Sequence, residues 1–227
     1  MTRTMHHIGQ TPSTQEIARQ LLKNGQAQVG DTVVADRQTD GRGRYGRTWI
    51  SPAGGLYLTA ILAYDALISL RCGLAVVRAL ESNGISAGLK WPNDVLVNDR
   101  KIAGVLVETD GTICFAGIGL NLTSAPLATA TCVAAHTGTT DRNCWSHAIA
   151  DSLAAITSQA FDWDHYRRTC LTLGRQVRIE RLAPKEPIEG RAVDIDDVGR
   201  LIVRTMFGTQ AISSGECLHL REPMSNS

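Results

Sequence analysis

From Asp36 to Trp49 the sequence reads DRQTDGRGRYGRTW, and this stretch decides how the rest of the chain is interpreted. Four arginines and three glycines fall within eleven residues of a chain whose formal net charge is only +1. Glycine lets the backbone approach a ligand closely, and the arginine guanidinium matches carboxylate and phosphate oxygens in bidentate geometry. The stretch therefore predicts a flexible loop that closes over a small anionic ligand, with a solvated basic loop as the alternative.

The same stretch contains a literal G-x-G-x-x-G between Gly41 and Gly46, which is also the fingerprint of dinucleotide-binding folds. That fingerprint requires a strand before it and a helix that begins directly after it. Residues 32–35 favour a strand, whereas residues 48–55, TWISPAGG, do not favour a helix. The arginines also occupy positions that a dinucleotide-binding turn keeps small or apolar. We therefore reject the dinucleotide interpretation.

The composition describes an ordinary globular chain of 227 residues, 43% hydrophobic and 20% charged, enough for one or two domains. A net charge of +1 argues against a general nucleic-acid-binding protein, which would be strongly basic. The six cysteines form neither a C-x-x-C pair nor a zinc-site spacing, so reduced thiols and a cytoplasmic location are expected. Residues 1–10 lack the apolar segment of a secretion signal, and no apolar run approaches the ~20 residues that span a bilayer.

Hydrophobic periodicity and turn residues predict an α+β fold with two domains. Helices are predicted at residues 13–24, 67–83, 143–161 and 164–173, and strands before them or between them at residues 6–9, 31–36, 56–62, 95–97, 101–108 and 112–120. Asp110-Gly111 predicts a hairpin turn, and residues 124–141 predict a long loop. Four short strands follow at residues 177–180, 190–195, 201–204 and 216–220, spaced as in a small β-barrel. We therefore predict a mixed-sheet domain packed with helices over residues 1–174 and a barrel over residues 175–227.

Ser13, Thr14 and Glu16 stand where the first helix begins and can be explained in two ways. Ser13 is a suitable N-cap, and Glu16 three residues later completes a capping box, so helix capping alone accounts for them. The functional interpretation is that the first turn of a helix offers free N–H groups and hydroxyls to a polar ligand. Both interpretations predict a helix that ends at Gly25.

Two further segments contain polar residues that a fold alone does not require. Residues 90–94, KWPND, place a tryptophan, a proline and a carboxylate directly before an apolar strand, with a tight turn as the alternative explanation. In residues 101–104, KIAG, Lys101 opens an apolar strand that contains Gly104, and a glycine within a strand often marks close approach of a ligand. The alternative is that Lys101 protects a sheet edge from aggregation.

Together, the arginine-rich stretch, residues 90–94 and residues 101–104 supply the groups that adenylation of a carboxylic acid requires. Positive side chains cancel the repulsion between a carboxylate and the α-phosphate of ATP and stabilise the charge that develops at phosphorus. A carboxylate such as Asp94 can hold Mg²⁺ between phosphates. The sequence shows no Ser-His-Asp order, no H-E-x-x-H and no P-loop, which argues against those hydrolases, zinc proteases and P-loop NTPases.

Five motifs in order resemble those of the biotin–protein ligase family, the biotin–[acetyl-CoA-carboxylase] ligases. They are Ser13-Thr14-Gln15, residues 38–49 (QTDGRGRYGRTW), residues 90–94 (KWPND), residues 100–104 (RKIAG) and residues 117–121 (GIGLN). The resemblance implies a class II synthetase-like mixed sheet with helices, followed by a small SH3-like β-barrel. It also implies an ATP-dependent, AMP-forming enzyme that makes biotinyl-5′-AMP and transfers biotin to one lysine of a biotin carboxyl carrier domain, from acetyl-CoA carboxylase or a related biotin enzyme.

The resemblance also assigns roles to particular residues. The implied biotin-binding residues are Ser13, Thr14, Gln15, Gln38, Gly41, Arg42, Lys101 and Gly104. The implied ATP- and adenylate-binding residues are Arg42, Arg44, Arg47, Trp49, Asn93, Lys101 and Asn121. The implied catalytic residues are Lys101, Arg42 and Asp94, and Asp94 would also hold Mg²⁺. Within these sets, Ser13, Thr14 and Gln38 would meet the ureido end of biotin, whereas Trp49 and Asn121 would meet the adenine.

The chain departs from the family pattern at two positions and in its N-terminal region. Gln15 stands where the family usually has asparagine, and Tyr45 replaces a residue that is often basic. Only twelve residues precede Ser13, so a DNA-binding winged helix and a repressor role are not expected. No membrane binding is expected, whereas a homodimer is compatible with the family. The alternatives are a lipoate or octanoate ligase or transferase of the same fold class and a non-catalytic biotin sensor.

Overall fold

A computed structural model describes residues 3–137, 139–181 and 186–220 of the chain. Its strands and helices are, in chain order, β1 (Met5–Thr11), α1 (Thr14–Lys23), β2 (Thr32–Gln38), β3 (Leu56–Ala63), α2 (Ile68–Ser82), β4 (Gly88–Lys90), β5 (Asp94–Val97), β6 (Arg100–Asp110), β7 (Ile113–Leu120), α3 (Arg142–Thr157), α4 (Trp163–Thr169), β8 (Gln176–Glu180), β9 (Ile188–Ile195), β10 (Leu201–Thr205), β11 (Gly208–Ile212) and β12 (Glu216–His219). Contacts divide the chain into two units, the first formed by residues 1–87 and 93–161 and the second by residues 88–92 and 162–227. Among the described residues, no helix is long and apolar enough to cross a membrane.

The first unit is built on a mixed sheet in which six strands lie in the order β1-β2-β3-β7-β6-β5. β1 pairs with β2 in parallel, and every following pair in this series is antiparallel. The hairpin turn predicted at Asp110-Gly111 is confirmed, because Gly111 adopts a positive φ of 61° between the paired strands β6 and β7. The predicted mixed sheet packed with helices is therefore confirmed.

One face of this sheet is shared between α1 and the candidate site. A buried cluster under α1 contains Ala18, Val33, Ile61 and Phe115. Residues two apart on a strand share a face, so the face that carries Ile61 also carries Thr59 further along β3. Thr59 donates a hydrogen bond to the Thr14 hydroxyl at the first residue of α1 (2.8 Å). The N-terminus of α1 therefore points to the second half of this face, where the candidate site lies.

The other face of the sheet packs against α2 and α3. Ala60 and Leu62 alternate with Ile61 along β3 and line a cavity with Ile68 of α2 and Leu153 of α3. The apolar stripe predicted for α2 is buried, and it consists of Leu70, Leu74, Val77 and Leu80. The two helices also contact each other, so the core of this unit lies mainly between them and the sheet.

The third helix ends earlier than the sequence predicts. It stops at Thr157 and not at Phe161. Arg71 of α2 donates hydrogen bonds to the carbonyl oxygens of Ile156 (2.7 Å) and Gln159 (3.0 Å). The last carbonyls of a helix have no partner within the helix, so this side chain satisfies groups that a further helical turn would otherwise use.

The second unit contains a five-stranded antiparallel sheet in the order β11-β10-β9-β8-β12. This confirms the predicted C-terminal β-domain and adds one strand, β11, to the four that were predicted. The sequence of β11, GTQAI, contains a single large apolar residue, so it carries little strand signal. Residues 182–185 and 221–227 of the predicted barrel lie outside the described residues.

The fourth helix and residues 88–92 belong to the second unit as well. α4 ends at Thr169 and not at Leu173, because Cys170 has an extended backbone and forms a β-bridge with Leu89. The contacts therefore group α4 with the C-terminal strands, and the domain boundary at Gly174 stays a prediction.

Trp91 has a structural place in this second unit. Its side chain is buried, its backbone N–H donates to the Thr172 hydroxyl (3.0 Å), and its indole nitrogen donates to the carbonyl of Gly199 (3.1 Å). The unusual composition of residues 90–94 therefore reflects, in part, the packing of this unit. Only Asn93 and Asp94 of that motif belong to the first unit.

Candidate active site

The arginine loop, residues 39–50, leaves the end of β2 and folds back on itself. Arg42 forms an antiparallel bridge with Thr48, and the N–H of Trp49 donates to the carbonyl of Gly41 (2.8 Å). A side chain at Gly41 would collide with that turn, which explains the glycine. The described loop contains only a short 3-10 turn, Arg44–Gly46. No helix follows the G-x-G-x-x-G, and the rejection of a dinucleotide-binding turn is confirmed.

A partly buried series of hydrogen bonds joins the loop to α1. The backbone N–H and hydroxyl of Thr14 both donate to Gln38 Oε1, at 2.9 and 3.2 Å. Because an N–H can only donate, this end of the amide is the oxygen, and Gln38 Nε2 donates to the Ser51 hydroxyl (3.0 Å). Ser51 in turn donates to the carbonyl of Trp49 (2.9 Å). These hydrogen bonds orient the Gln38 amide. Among the described residues, the second hydrogen on Gln38 Nε2 has no acceptor, so it is available to a ligand.

The capping box predicted at the start of α1 is wrong, although the helix start is right. Ser13 occupies the N-cap with an extended backbone, but its side chain makes no capping hydrogen bond. Glu16 instead accepts a hydrogen bond from Arg42 of the loop. Ser13 is nevertheless buried, as Thr14 is. Capping therefore does not account for Ser13, and the functional interpretation of these two hydroxyls stays a prediction.

Gln15 bridges two strands of the sheet. Its Nε2 donates to the carbonyl oxygens of Leu106 in β6 and Phe115 in β7, both at 3.0 Å. A Cβ on Gly117 would lie 3.2 Å from the Gln15 Cδ, so that glycine makes room for the amide. Both amide hydrogens of Gln15 are therefore engaged, and only its oxygen can contact a ligand.

A row of register partners crosses the same face beyond Gln15. It consists of Tyr57 in β3, Gly119 in β7, Gly104 in β6 and Asp94 in β5. The Trp49 indole lies on the two glycines: a Cβ on Gly104 would be 3.2 Å from Trp49 Cζ3, and one on Gly119 would be 2.7 Å from Cζ2. The indole nitrogen is buried there without a hydrogen-bond partner. We call Gly104 and Gly119 the glycine platform.

The side chains of Trp49 and Lys101 are the groups that approach Gly104 closely, so the predicted approach of a ligand stays a prediction. Sequence reasoning missed Gly119. The signal was available, because Gly117 and Gly119 alternate within a strand and so open the same face. Gly117 receives Gln15 and Gly119 receives Trp49.

Lys101 reaches this face because β6 carries an extra residue. Val95 pairs with Ala103 and Leu96 with Lys101, so the register shifts by one residue between these pairs. The Lys101 ammonium lies 2.6 Å from Asp94 Oδ1 and 5.1 Å from the centroid of the Trp49 ring. β6 is paired on both sides, so the alternative that Lys101 protects a sheet edge is wrong.

Asn93 and Asn121 make structural hydrogen bonds that the sequence did not reveal. Asn93 Nδ2 donates to the carbonyl of Val105 (2.9 Å), and Asn93 Oδ1 accepts from Arg44 (3.2 Å). Asn121 is buried, and its Nδ2 donates to the carbonyl of Thr131 (3.0 Å) in the long loop. Each amide therefore holds a neighbouring segment in place.

The three arginines predicted to meet anions have different surroundings. Arg42 donates to Asp40 (2.9 Å) and to Glu16, and these carboxylates raise the pKa of its guanidinium. Arg44 is held by Asn93 and Tyr45. Arg47 is exposed. Arg42 is therefore paired with carboxylates of its own chain, and the sequence analysis did not predict either partner, Asp40 or Glu16.

The site thus combines a cluster of hydroxyls and amides, a glycine platform, and a lysine–carboxylate pair beside an arginine-rich loop. Such an arrangement is typical of a class of α+β proteins whose ligand carries hydrogen-bonding groups at one end and an anionic group at the other. Comparison with known proteins refines this class. Residues 8–122 match the model of the biotin/lipoate A/B protein ligase family, and residues 172–220 match the biotin protein ligase C-terminal domain. The chain belongs to the biotin/lipoate A/B protein ligase family.

Relatives and solved structures agree with this membership. The biotin–[acetyl-CoA-carboxylase] ligase of Mycobacterium tuberculosis is 31% identical over 96% of this chain and 90% of that protein. The biotin protein ligase from Aquifex aeolicus in complex with biotin and ATP has a TM-score of 0.83 at 31% identity, covering 96% of this chain and 99% of that one. The Leishmania major biotin protein ligase in complex with biotinyl-5-AMP has a TM-score of 0.67 at 30% identity, covering 93% and 99%.

Proposed function

We propose that this chain is a biotin–protein ligase, which activates biotin with MgATP and passes the biotinyl group to a lysine of a carrier domain. One observation carries the proposal: the Thr14–Gln38 cluster, the glycine platform and the Lys101–Asp94 pair lie on one sheet face. Biotin has a ureido head, an apolar chain and a carboxylate in the same order as these three groups of residues. Membership of the family and the ligands named for its relatives support this assignment.

The ureido head, in this proposal, binds at the N-terminus of α1. Its carbonyl would accept the second amide hydrogen of Gln38, while the hydroxyls of Ser13 and Thr14 complete the polar wall. Gln15 would accept from a ureido N–H through its oxygen, because its hydrogens bind the sheet. Burial of these groups excludes water and strengthens each hydrogen bond to the ligand.

The reacting end of biotin would lie at Lys101. Gly104 would let the acid pass close to β6 once the Trp49 indole, which covers it in this structure, moved aside. Gly41 with Arg42 would meet the carboxylate or the acyl phosphate. A carboxylate oxygen attacks the α-phosphorus of ATP, the bond from that phosphorus to the bridging oxygen breaks, and pyrophosphate leaves. The Lys101 ammonium stabilises the negative charge that builds up on the phosphoryl oxygens.

The nucleotide would bind beside Trp49. The Trp49 indole and the Asn121 amide would contact the adenine, and Arg44, Arg47 and Asn93 would donate hydrogen bonds to the phosphates of the nucleotide. Arg42 would leave Asp40 and Glu16 and take up ligand oxygens in their place. This exchange keeps the guanidinium paired with carboxylate or phosphate at every stage.

Mg²⁺ is expected to accompany the nucleotide, and the residues present fit it. No group of three or more metal-ligating side chains occurs among the described residues. Mg²⁺ is usually held by one or two carboxylates together with substrate phosphates. Asp94 would supply that carboxylate, and the ion would neutralise charge on the phosphates. Asp94 also keeps Lys101 in position through their ion pair.

The second half-reaction transfers biotin to a protein. The amine of a carrier lysine attacks the acyl carbon of biotinyl-5′-AMP, the bond to the phosphate oxygen breaks, and AMP leaves. We propose a biotin carboxyl carrier domain of acetyl-CoA carboxylase or a related enzyme as acceptor, in the cytoplasm, without DNA or membrane. The six free cysteines suit a reducing compartment, and β1, as an edge strand, offers a surface for a homodimer.

The proposal is tested by incubating the protein with biotin, ATP, Mg²⁺ and either an apo biotin carrier domain or an apo lipoyl domain. Biotin should be transferred to the carrier domain, with release of pyrophosphate, and the Lys101→Ala variant should transfer far less. Acylation of the lipoyl domain with lipoate or octanoate instead would favour the other branch of the family. Biotin binding without pyrophosphate release would indicate a sensor.

A further inference from the structure

Tyr45 adopts a backbone conformation that its side chain does not favour. Its φ of 59° and ψ of 34° are left-handed, a region that glycine occupies easily and a bulky residue does not. The residue lies at the tip of the arginine loop with 41% of its surface exposed, so burial does not explain the strained geometry. Such a residue persists only where its contacts hold it, and it often marks a functional position.

Tyr45 contacts its neighbour Arg44 through both its ring and its hydroxyl. The guanidinium carbon of Arg44 lies 4.8 Å from the centroid of the Tyr45 ring, and Arg44 Nη2 donates to the Tyr45 hydroxyl (2.8 Å). The other end of the same guanidinium donates through Nη1 to Asn93 Oδ1 (3.2 Å). Asn93 is itself fixed to β6 by its hydrogen bond to Val105. A continuous path therefore connects the loop tip to the sheet.

We infer that Tyr45 is a positioning residue, which holds Arg44 against Asn93 and keeps the arginine loop closed beside the glycine platform before a ligand binds. A guanidinium has many rotamers, and both the ring and the hydroxyl of Tyr45 restrict them. The backbone strain at Tyr45 is offset by these two contacts. Lysine or arginine at position 45 would repel Arg44 and could not supply them.

This device has a consequence for the reaction. A loop that is already ordered loses less conformational entropy when the ligand binds, so affinity for biotin and its adenylate is higher. The same closure excludes water from a reactive acyl phosphate. The identity of the ligand in this inference rests on the proposed function. The closed state of the loop can be tested without any ligand.

The test compares Tyr45→Phe, Tyr45→Ala and Tyr64→Phe with the unmodified protein. Tyr45→Phe keeps the ring contact and loses the hydroxyl, and Tyr45→Ala loses both while keeping a Cβ at the same φ. Tyr64 is an exposed tyrosine outside the site, so Tyr64→Phe is the matched control. Amide hydrogen exchange is measured first in the ligand-free protein, at Gly43 and Trp49, whose N–H groups are bonded within the loop.

Exchange at these two amides should rise about fivefold in Tyr45→Phe and more in Tyr45→Ala, because each loses part of the link to Asn93. The KM for biotin should rise by a similar factor with kcat unchanged at saturation, and bound biotinyl-5′-AMP should dissociate faster. Unchanged loop exchange would overturn the inference, as would faster exchange with unaltered KM and adenylate retention. If the unmodified protein made no adenylate, the proposed function would fail while the exchange data still decided whether Tyr45 closes the loop.

Discussion

Replacing Gly119 by alanine should displace Trp49 and impair nucleotide binding. A Cβ at this position would lie 2.7 Å from Trp49 Cζ2 and closer still to the indole nitrogen. Carbon atoms in van der Waals contact are about 3.5–4.0 Å apart, so the overlap is about 1 Å and the indole has to move. Gly119 sits in the middle of a sheet, paired with Tyr57 and Gly104, so the backbone cannot retreat.

The size of the loss in ATP affinity depends on which part of the protein moves to relieve the overlap between the new Cβ and Trp49. Overpacking a core costs about 1–3 kcal/mol, but Trp49 is on a loop that can lift away from the platform. Most of that energy should therefore appear as lost ligand affinity and not as lost stability. A penalty of about 1–3 kcal/mol corresponds to a Kd or KM for ATP that is roughly 5- to 150-fold higher.

The assay is ATP–pyrophosphate exchange at varied ATP, combined with thermal unfolding. Gly9→Ala is the matched control, because a Cβ on Gly9 in β1 meets nothing within 4 Å. Gly119→Ala should raise the KM for ATP strongly and change the unfolding temperature little, while Gly9→Ala changes neither KM nor kcat. A Gly119→Ala enzyme with a KM for ATP within twofold of normal would refute the role of the platform.

Three further changes test other parts of the account. Lys101→Ala should slow adenylation severely while biotin still binds, measured by single-turnover kinetics and calorimetry; a normal rate would remove Lys101 from the mechanism. Arg42→Ala should weaken retention of biotin and adenylate far more than it lowers the unfolding temperature, because a surface loop contributes little to the core; equal losses would indicate a structural loop. Burial raises the pKa of Tyr57 to about 12, so its contribution to stability is complete below about pH 10 and is lost as the pH rises toward 12. Tyr57→Phe should therefore reduce the loss of unfolding free energy between about pH 10 and pH 12, measured by denaturant unfolding at several pH values. An unchanged dependence of stability on pH would contradict this prediction.

The local elements were largely predictable from the sequence, because periodicity and turn residues act over short distances. The hairpin at Asp110-Gly111 and the buried stripe of α2 are examples. The ends of α3 and α4 were not predictable. They depend on Arg71 and on the bridge between Cys170 and Leu89, which join residues far apart in the chain.

In the site, too, the sequence indicated which residues are important but not which residues they contact. Motifs indicated that Gly104, Lys101 and Gln38 carry chemistry, but the geometry that surrounds them is tertiary. The extra residue in β6 that turns Lys101 to the site face leaves no periodic signal, because alternation alone predicts the opposite face. The capping box predicted at Ser13 was wrong because of another tertiary contact: Glu16 accepts a hydrogen bond from Arg42 of the loop.

In the proposed reaction, one ammonium on β6 and the arginine loop together bring a carboxylate and a phosphate into contact. A crystal structure of the protein with biotinyl-5′-AMP would decide whether they do. We expect the ureido ring at Thr14 and Gln38, and the acyl-phosphate oxygens within about 3 Å of Lys101 Nζ and of a guanidinium from the loop. Density for the adenylate away from both Lys101 and the loop would contradict this expectation.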